Sequence, residues 1–116
     1  MSNAFTITCI AAGLTALTSL PAAAATGAAA WNQQYPQSDG SPARSCASCH
    51  TADLTKPGQH ATTGKPIEPL APSVNPQRLT DQKKVEKWLL RNCRWTLGRE
   101  CTSAEKADFI SYIKSQ

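Results

Sequence analysis

The chain has 116 residues, of which 41% are hydrophobic and 17% charged, with a formal net charge of +4 at pH 7. Those values describe one domain, too polar to live in a bilayer and too mildly basic to argue for nucleic acid as a partner. Most of the available chemistry lies in five cysteines, at positions 9, 46, 49, 93 and 101, and in two histidines.

Residues 1–25 carry no charged side chain and run from the apolar stretch Phe5 to Leu20 into the string Pro21-Ala22-Ala23-Ala24-Ala25. An apolar run closed by small residues predicts a secretory signal peptide cleaved near Ala25, which leaves 26–116 as the working domain and the periplasm as its compartment. The sixteen residues from Phe5 to Leu20 fall short of the twenty or so that a spanning helix needs. Cys9 lies in this segment and is read as inert. What remains is small enough for its hydrophobic core alone to be marginal, so a covalent cofactor or cross-link is expected.

A short helix is predicted from Ala28 to Tyr35, followed by a loop of Gly, Pro and Ser residues from Pro36 to Ser45. The region from Lys56 to Pro76 holds five of the eight prolines, at 57, 66, 69, 72 and 76, which rules out a long helix or a central strand. So long a loop in a small domain makes sense if it wraps something that it helps to bury. A helix is predicted from Asp81 to Cys93, N-capped by Thr80, with Val85, Trp88, Leu89 and Asn92 on one face. Lys83, Lys84, Lys87, Arg91, Arg94 and Arg99 cluster along and beyond it, a solvated face in the plainer reading and a docking surface for an acidic redox partner in the sharper one. A last helix, Ser103 to Lys114, is announced by the capping box Thr102-Ser103-Ala104-Glu105 and carries the stripe Phe109, Ile110, Ile113. No segment alternates with a strand period, so the expected fold is all-α with long irregular loops.

Cys46-Ala47-Ser48-Cys49-His50 matches the C-x-x-C-H signature for covalent haem c attachment. Two intervening residues form one turn that presents both sulfurs to neighbouring vinyl groups, and the next residue is carried under the ring to meet the iron. A thioredoxin-like dithiol would need a βαβ setting, and a zinc site would need four ligands close together. Lys56, Lys65 and Arg78 are candidates to meet the haem carboxylates, and Leu70 or Pro72 could offer a carbonyl to the second His50 nitrogen.

The other face of the iron is less determined. Met1 is the only methionine and lies in the predicted signal, so thioether ligation is excluded. His60, Asn92, a lysine, water and an empty position remain. His60 would make a bis-imidazole electron carrier, but it follows His50 by only ten residues. Asn92 is a carboxamide on an apolar helix face, explained equally by capping a helix end or by ligation. Cys93 and Cys101 are expected to pair in an oxidising compartment, tying the end of one helix to the start of the next.

From Cys46 to Asp108 the chain resembles the oxygen-binding c-type cytochromes typified by sphaeroides haem protein. The match runs through Cys46-Ala47-Ser48-Cys49-His50-Thr51, Gly64-Lys65-Pro66-Ile67, Leu70-Ala71-Pro72-Ser73 and Asn75-Pro76. It continues in Lys84-Val85-Glu86-Lys87-Trp88, Arg91-Asn92-Cys93, Leu97-Gly98-Arg99-Glu100-Cys101-Thr102 and Glu105-Lys106-Ala107-Asp108. The resemblance implies a small class I cytochrome c-like fold around one covalent haem, with His50 as proximal ligand. It also implies Asn92 as a sixth ligand of ferric iron that leaves on reduction, a Cys93–Cys101 disulfide beside it, and binding of oxygen or nitric oxide by the reduced form. Redox partners implied by the same resemblance are a dihaem cytochrome c and a membrane cytochrome b. The expected protein is monomeric, an electron-transfer and gas-binding protein rather than an enzyme.

Overall fold

The computed structural model describes residues 22–116. The chain forms α1 (Ala22–Asn32), α2 (Ala47–His50), β1 (Gly58–Gln59), β2 (Pro66–Ile67), α3 (Gln82–Leu97) and α4 (Ser103–Lys114). Most of the predicted signal peptide and Cys9 lie outside the described residues, and the predicted cleavage point falls in the first turn of α1. No helix among the described residues is long and apolar enough to cross a membrane.

The first helix starts earlier and stops earlier than the predicted Ala28 to Tyr35. Alanine is the strongest helix former, so the run from Ala22 propagates the helix backwards. Tyr35 is drawn off by a bridge to Arg44, with Tyr35 N–H donating to Arg44 O at 2.8 Å and Arg44 N–H returning to Tyr35 O at 3.0 Å. Gly27 lets α1 cross α4 closely, since a Cβ there would sit 2.8 Å from Tyr112 Cβ. One turn on, Trp31 packs edge-on against Phe109, ring centroids 6.4 Å apart, and at 5.7 Å against Tyr112.

The end of α3 also departs from expectation. Thr80 is not the N-cap: its hydroxyl donates to Gln77 O, and the Asp81 carboxylate accepts from Lys84 N–H at 3.2 Å. The helix then continues past Cys93 to Leu97, where Gly98 closes it with the left-handed φ of 74° that a glycine supplies without strain. Two orphan carbonyls of the last turn find side-chain donors: Trp95 O accepts from Arg44 Nη1 at 2.9 Å and Thr96 O from Gln37 Nε2 at 3.0 Å. The last helix keeps its predicted bounds. Its capping box is complete, with Glu105 N–H to Thr102 Oγ1 at 3.2 Å and Thr102 N–H to Glu105 Oε2 at 2.8 Å.

A small antiparallel sheet was not expected. Gly58 pairs with Ile67 and Gln59 with Pro66, two residues a side, too short to leave a period in the sequence. The proline-rich segment is pinned around it by side chains, because prolines have no N–H to give. Pro69 O accepts from Asn75 Nδ2 and from Arg78 Nε, both at 3.1 Å, and Glu68 O accepts from Arg78 Nη2 at 3.0 Å. Leu54, fully buried, receives Leu70 N–H and Ala71 N–H on its carbonyl. Burying one leucine completely stabilises the fold by about 2 kcal/mol. With Trp31, Ala71, Cys93, Cys101, Phe109 and Ile113 it makes the core, which ties both ends of the described chain to the loop between them.

Candidate functional site

Cys46, Cys49 and His50 come together on the single turn of α2. The turn is held by two serines: Ser45 N–H donates to Ser48 Oγ at 2.9 Å and Ser48 N–H donates to Ser45 Oγ at 3.1 Å. The sequence reading missed Ser45, which is 2% exposed, although a serine three residues from another at a helix start is a capping signature. Gly58 was missed as well. A Cβ at this position would lie 2.1 Å from Cys49 O and 3.0 Å from His50 Cα, so only glycine lets β1 run against the back of the attachment turn.

Neither Cys46, the N-cap of α2, nor Cys49 within it is in a disulfide. Burial pushes the Cys46 thiol up to about 12, with its own backbone opposing and the neighbouring Cys49 adding a little. It therefore stays protonated near neutrality. The Cys49 sulfur accepts from Ala61 N–H at 3.4 Å, which fastens the 60–64 turn to the attachment side. Burial, with the Arg78 guanidinium nearby, holds the His50 imidazole down to about 4. It is therefore neutral, the form that ligates a metal. Among the described residues no hydrogen bond joins the His50 ring to Leu70 or Pro72; the nearby carbonyls of Glu68 and Pro69 are occupied by Arg78 and Asn75. That use also engages Arg78, expected to meet a haem carboxylate.

Cys93 of α3 forms a disulfide with Cys101, which lies in the junction before α4, eight residues on in sequence and 5.6 Å away at the Cα atoms. Asn92 lies directly before the bridge and well inside the helix, so it caps nothing. Its side chain is exposed, and the carboxamide makes no hydrogen bond among the described residues. Val85 and Leu89, on the same face, are partly buried, whereas Trp88 remains 52% exposed with the Arg91 guanidinium 5.6 Å from its ring centroid. Arg44 lies 4.2 Å over the Trp95 ring, so the loop entering the attachment turn is clamped to α3 one turn beyond Asn92.

His60 is used locally. Its Nδ1 accepts the N–H groups of Thr62 and Thr63, both at 3.2 Å, and its ring lies 6.2 Å from that of Trp95. Of the cations on α3, Arg94 pairs with Glu100 at 2.7 Å, while Glu86 is taken by Lys106 at 3.2 Å. Such exposed pairs contribute little to stability.

The residues present fit a haem. Two cysteines in no disulfide and a neutral, half-buried imidazole share one turn, and the proline-rich segment runs against it through Gly58 and Ala61. Helices joined by proline-rich loops around a C-x-x-C-H turn define a small c-type cytochrome, whose cofactor is covalently bound haem c.

Comparison with known proteins narrows the class. The family described as "Domain of unknown function (DUF1924)" matches residues 18–113. The cytochrome c-type protein SHP of Cereibacter sphaeroides is 54% identical over 72 residues, covering 62% of this chain and 55% of that protein. Cytochrome c'' of Methylophilus methylotrophus is 42% identical over 86 residues, covering 74% and 59%. The chain thus spans less than two thirds of the length of these curated relatives. A solved structure of oxidized SHP, described as an oxygen binding cytochrome c, superposes with a TM-score of 0.72 at 46% identity, covering 80% of this chain and 81% of that one. The chain belongs to this family of SHP-like and cytochrome c''-like proteins, and its small cytochrome fold is theirs.

Proposed function

We infer that this is an exported, periplasmic monohaem cytochrome that accepts an electron and then opens one face of its iron. In this reading Cys46 and Cys49 form the thioethers, His50 is the proximal ligand, and Asn92 is the distal ligand of the ferric form. The haem supplies one-electron redox chemistry and, with its distal position open, a site for oxygen or nitric oxide.

The observation that carries the reading is the position of Asn92 within α3. Capping explained this carboxamide as well as ligation did while the helix was expected to end at Cys93. With the end at Leu97 and Gly98 serving as cap, an asparagine in mid-helix is costly in propensity and does no local work. A neutral amide oxygen is a hard and weak donor, adequate for ferric iron and poorly matched to the softer ferrous ion. The adjacent disulfide limits how far the backbone of residue 92 can drift, so the side chain can leave and return. His60 gives the competing reading, a bis-imidazole electron carrier without gas binding. Its turn is stitched to Cys49 on the attachment side, and one ring nitrogen already serves two backbone amides.

Two variants separate these readings. Asn92→Ala is expected to convert the ferric optical and electron paramagnetic resonance spectra to a high-spin or water-ligated type, with His60→Ala unchanged from the natural protein. The reverse pattern refutes Asn92 ligation. The redox partners are other cytochromes, a dihaem cytochrome c and a membrane cytochrome b in this reading, and the test is reduction of the purified protein by each.

A further inference from the structure

Thr51, directly after the proximal histidine, has φ 67° and ψ 174°, a conformation that glycine alone visits freely. A β-branched residue does not rest there unless its surroundings impose it. Three hydrogen bonds do so. Thr51 N–H donates to Ala47 O at 2.9 Å and its hydroxyl to Asp53 O at 2.8 Å. Its carbonyl accepts the Trp31 indole N–H at 3.1 Å, across twenty residues of sequence.

The first two bonds are local and move with the loop. The third comes from a side chain that is 3% exposed and lodged between Phe109 and Tyr112 of α4. The same indole lies 5.7 Å from the His50 imidazole, the two rings inclined at 46°. Trp31 therefore touches the ring of His50 and also holds the backbone of the residue that follows it. A phenylalanine would fill the space as well. A buried indole N–H has to be satisfied, and this one donates to the Thr51 carbonyl.

We propose that Trp31 is a positioning residue for His50: its indole N–H clamps Thr51 in the left-handed conformation while its ring face sets the plane of the imidazole. Through it, the packing of α1 on α4 reaches the proximal ligand of the iron. The proposal rests on His50 as an axial ligand and is independent of Asn92 and of gas binding.

The test uses the ferric holoprotein and Trp31→Phe, which keeps an aromatic ring and deletes the N–H. The haem methyl proton resonances spread according to the plane of the axial imidazole, and the Thr51 amide–Hα coupling reports its φ. Both are expected to shift in Trp31→Phe. Adding Thr51→Gly, which holds a positive φ without a clamp, is expected to return the methyl pattern toward that of the natural protein. Thr51→Gly alone should leave that pattern in place, and it remains informative if Trp31→Phe fails to assemble. A Trp31→Phe protein of lower Tm with unmoved methyl resonances makes Trp31 mere packing and overturns the proposal, as does a shifted pattern in Thr51→Gly. Absence of hyperfine-shifted His50 ring signals in the natural protein refutes the axial assignment itself, and the proposal with it.

Discussion

Replacing both Cys93 and Cys101 by alanine removes the covalent tie between α3 and α4. The bridge closes a loop of eight residues, for which chain entropy gives about 2.5 kcal/mol. Both cysteines are buried, at 3% and 8% exposure, so deleting two packed sulfurs adds roughly 1 kcal/mol. For a domain of this size each kcal/mol moves the midpoint by roughly 4–8 °C. The expected drop in Tm of the ferric holoprotein, followed by circular dichroism, is on the order of 15–25 °C. Below the new midpoint the ferric spectrum should also change, because Asn92 loses the restraint next to it. A drop under about 4 °C with an unchanged spectrum refutes the reasoning. The Gly98 cap and the Arg99–Glu105 pair would then be enough to hold the junction.

Other expectations follow from single residues. The hydrogen bond from Arg99, with further help from the Thr102 amide, lowers the Glu105 carboxyl to about 2. A depressed carboxylate contributes above its unfolded pKa near 4.3 and loses that contribution as pH falls toward the folded value. Because Arg99 is half exposed, the effect is limited to about 1 kcal/mol. Between pH 5 and 2 the natural protein should lose about that much more stability than Glu105→Gln, and parallel Tm–pH curves would contradict this. Gly58→Ala puts a methyl group 2.1 Å from Cys49 O and is expected to cost at least about 2 kcal/mol and to lower covalent haem content, measured as pyridine haemochrome. Full loading with an unchanged Tm would show that β1 has room to move. Cell fractionation followed by mass spectrometry should find the protein in the periplasmic fraction with an N-terminus near residue 26; recovery in the cytoplasmic fraction with the segment before residue 26 retained contradicts export.

The attachment turn and α4 were legible because each announces itself locally, one by C-x-x-C-H and the other by its capping box. The span of α3 was not. The apolar stripe stops at Leu89, and the final turn is held by partners far away in sequence, Gln37 and Arg44. Gly98, the C-cap, is a stop signal visible in the sequence that lies beyond the expected end at Cys93. With the end expected at Cys93, Asn92 sat where a cap would; in the structure it lies inside the helix and caps nothing. Thr80 and Asp81 are both good caps, and only geometry chooses between them. Trp31 and Gly58 act on Thr51 and Cys49 from distant positions, through contacts for which local sequence has no signature. The two-residue strands leave no period at all.

The central claim, that Asn92 lets go when the iron is reduced, is tested most directly by an optical titration of the reduced protein with carbon monoxide. The account predicts a high-spin ferrous spectrum that shifts fully on adding the gas. A low-spin ferrous spectrum indifferent to carbon monoxide would contradict it.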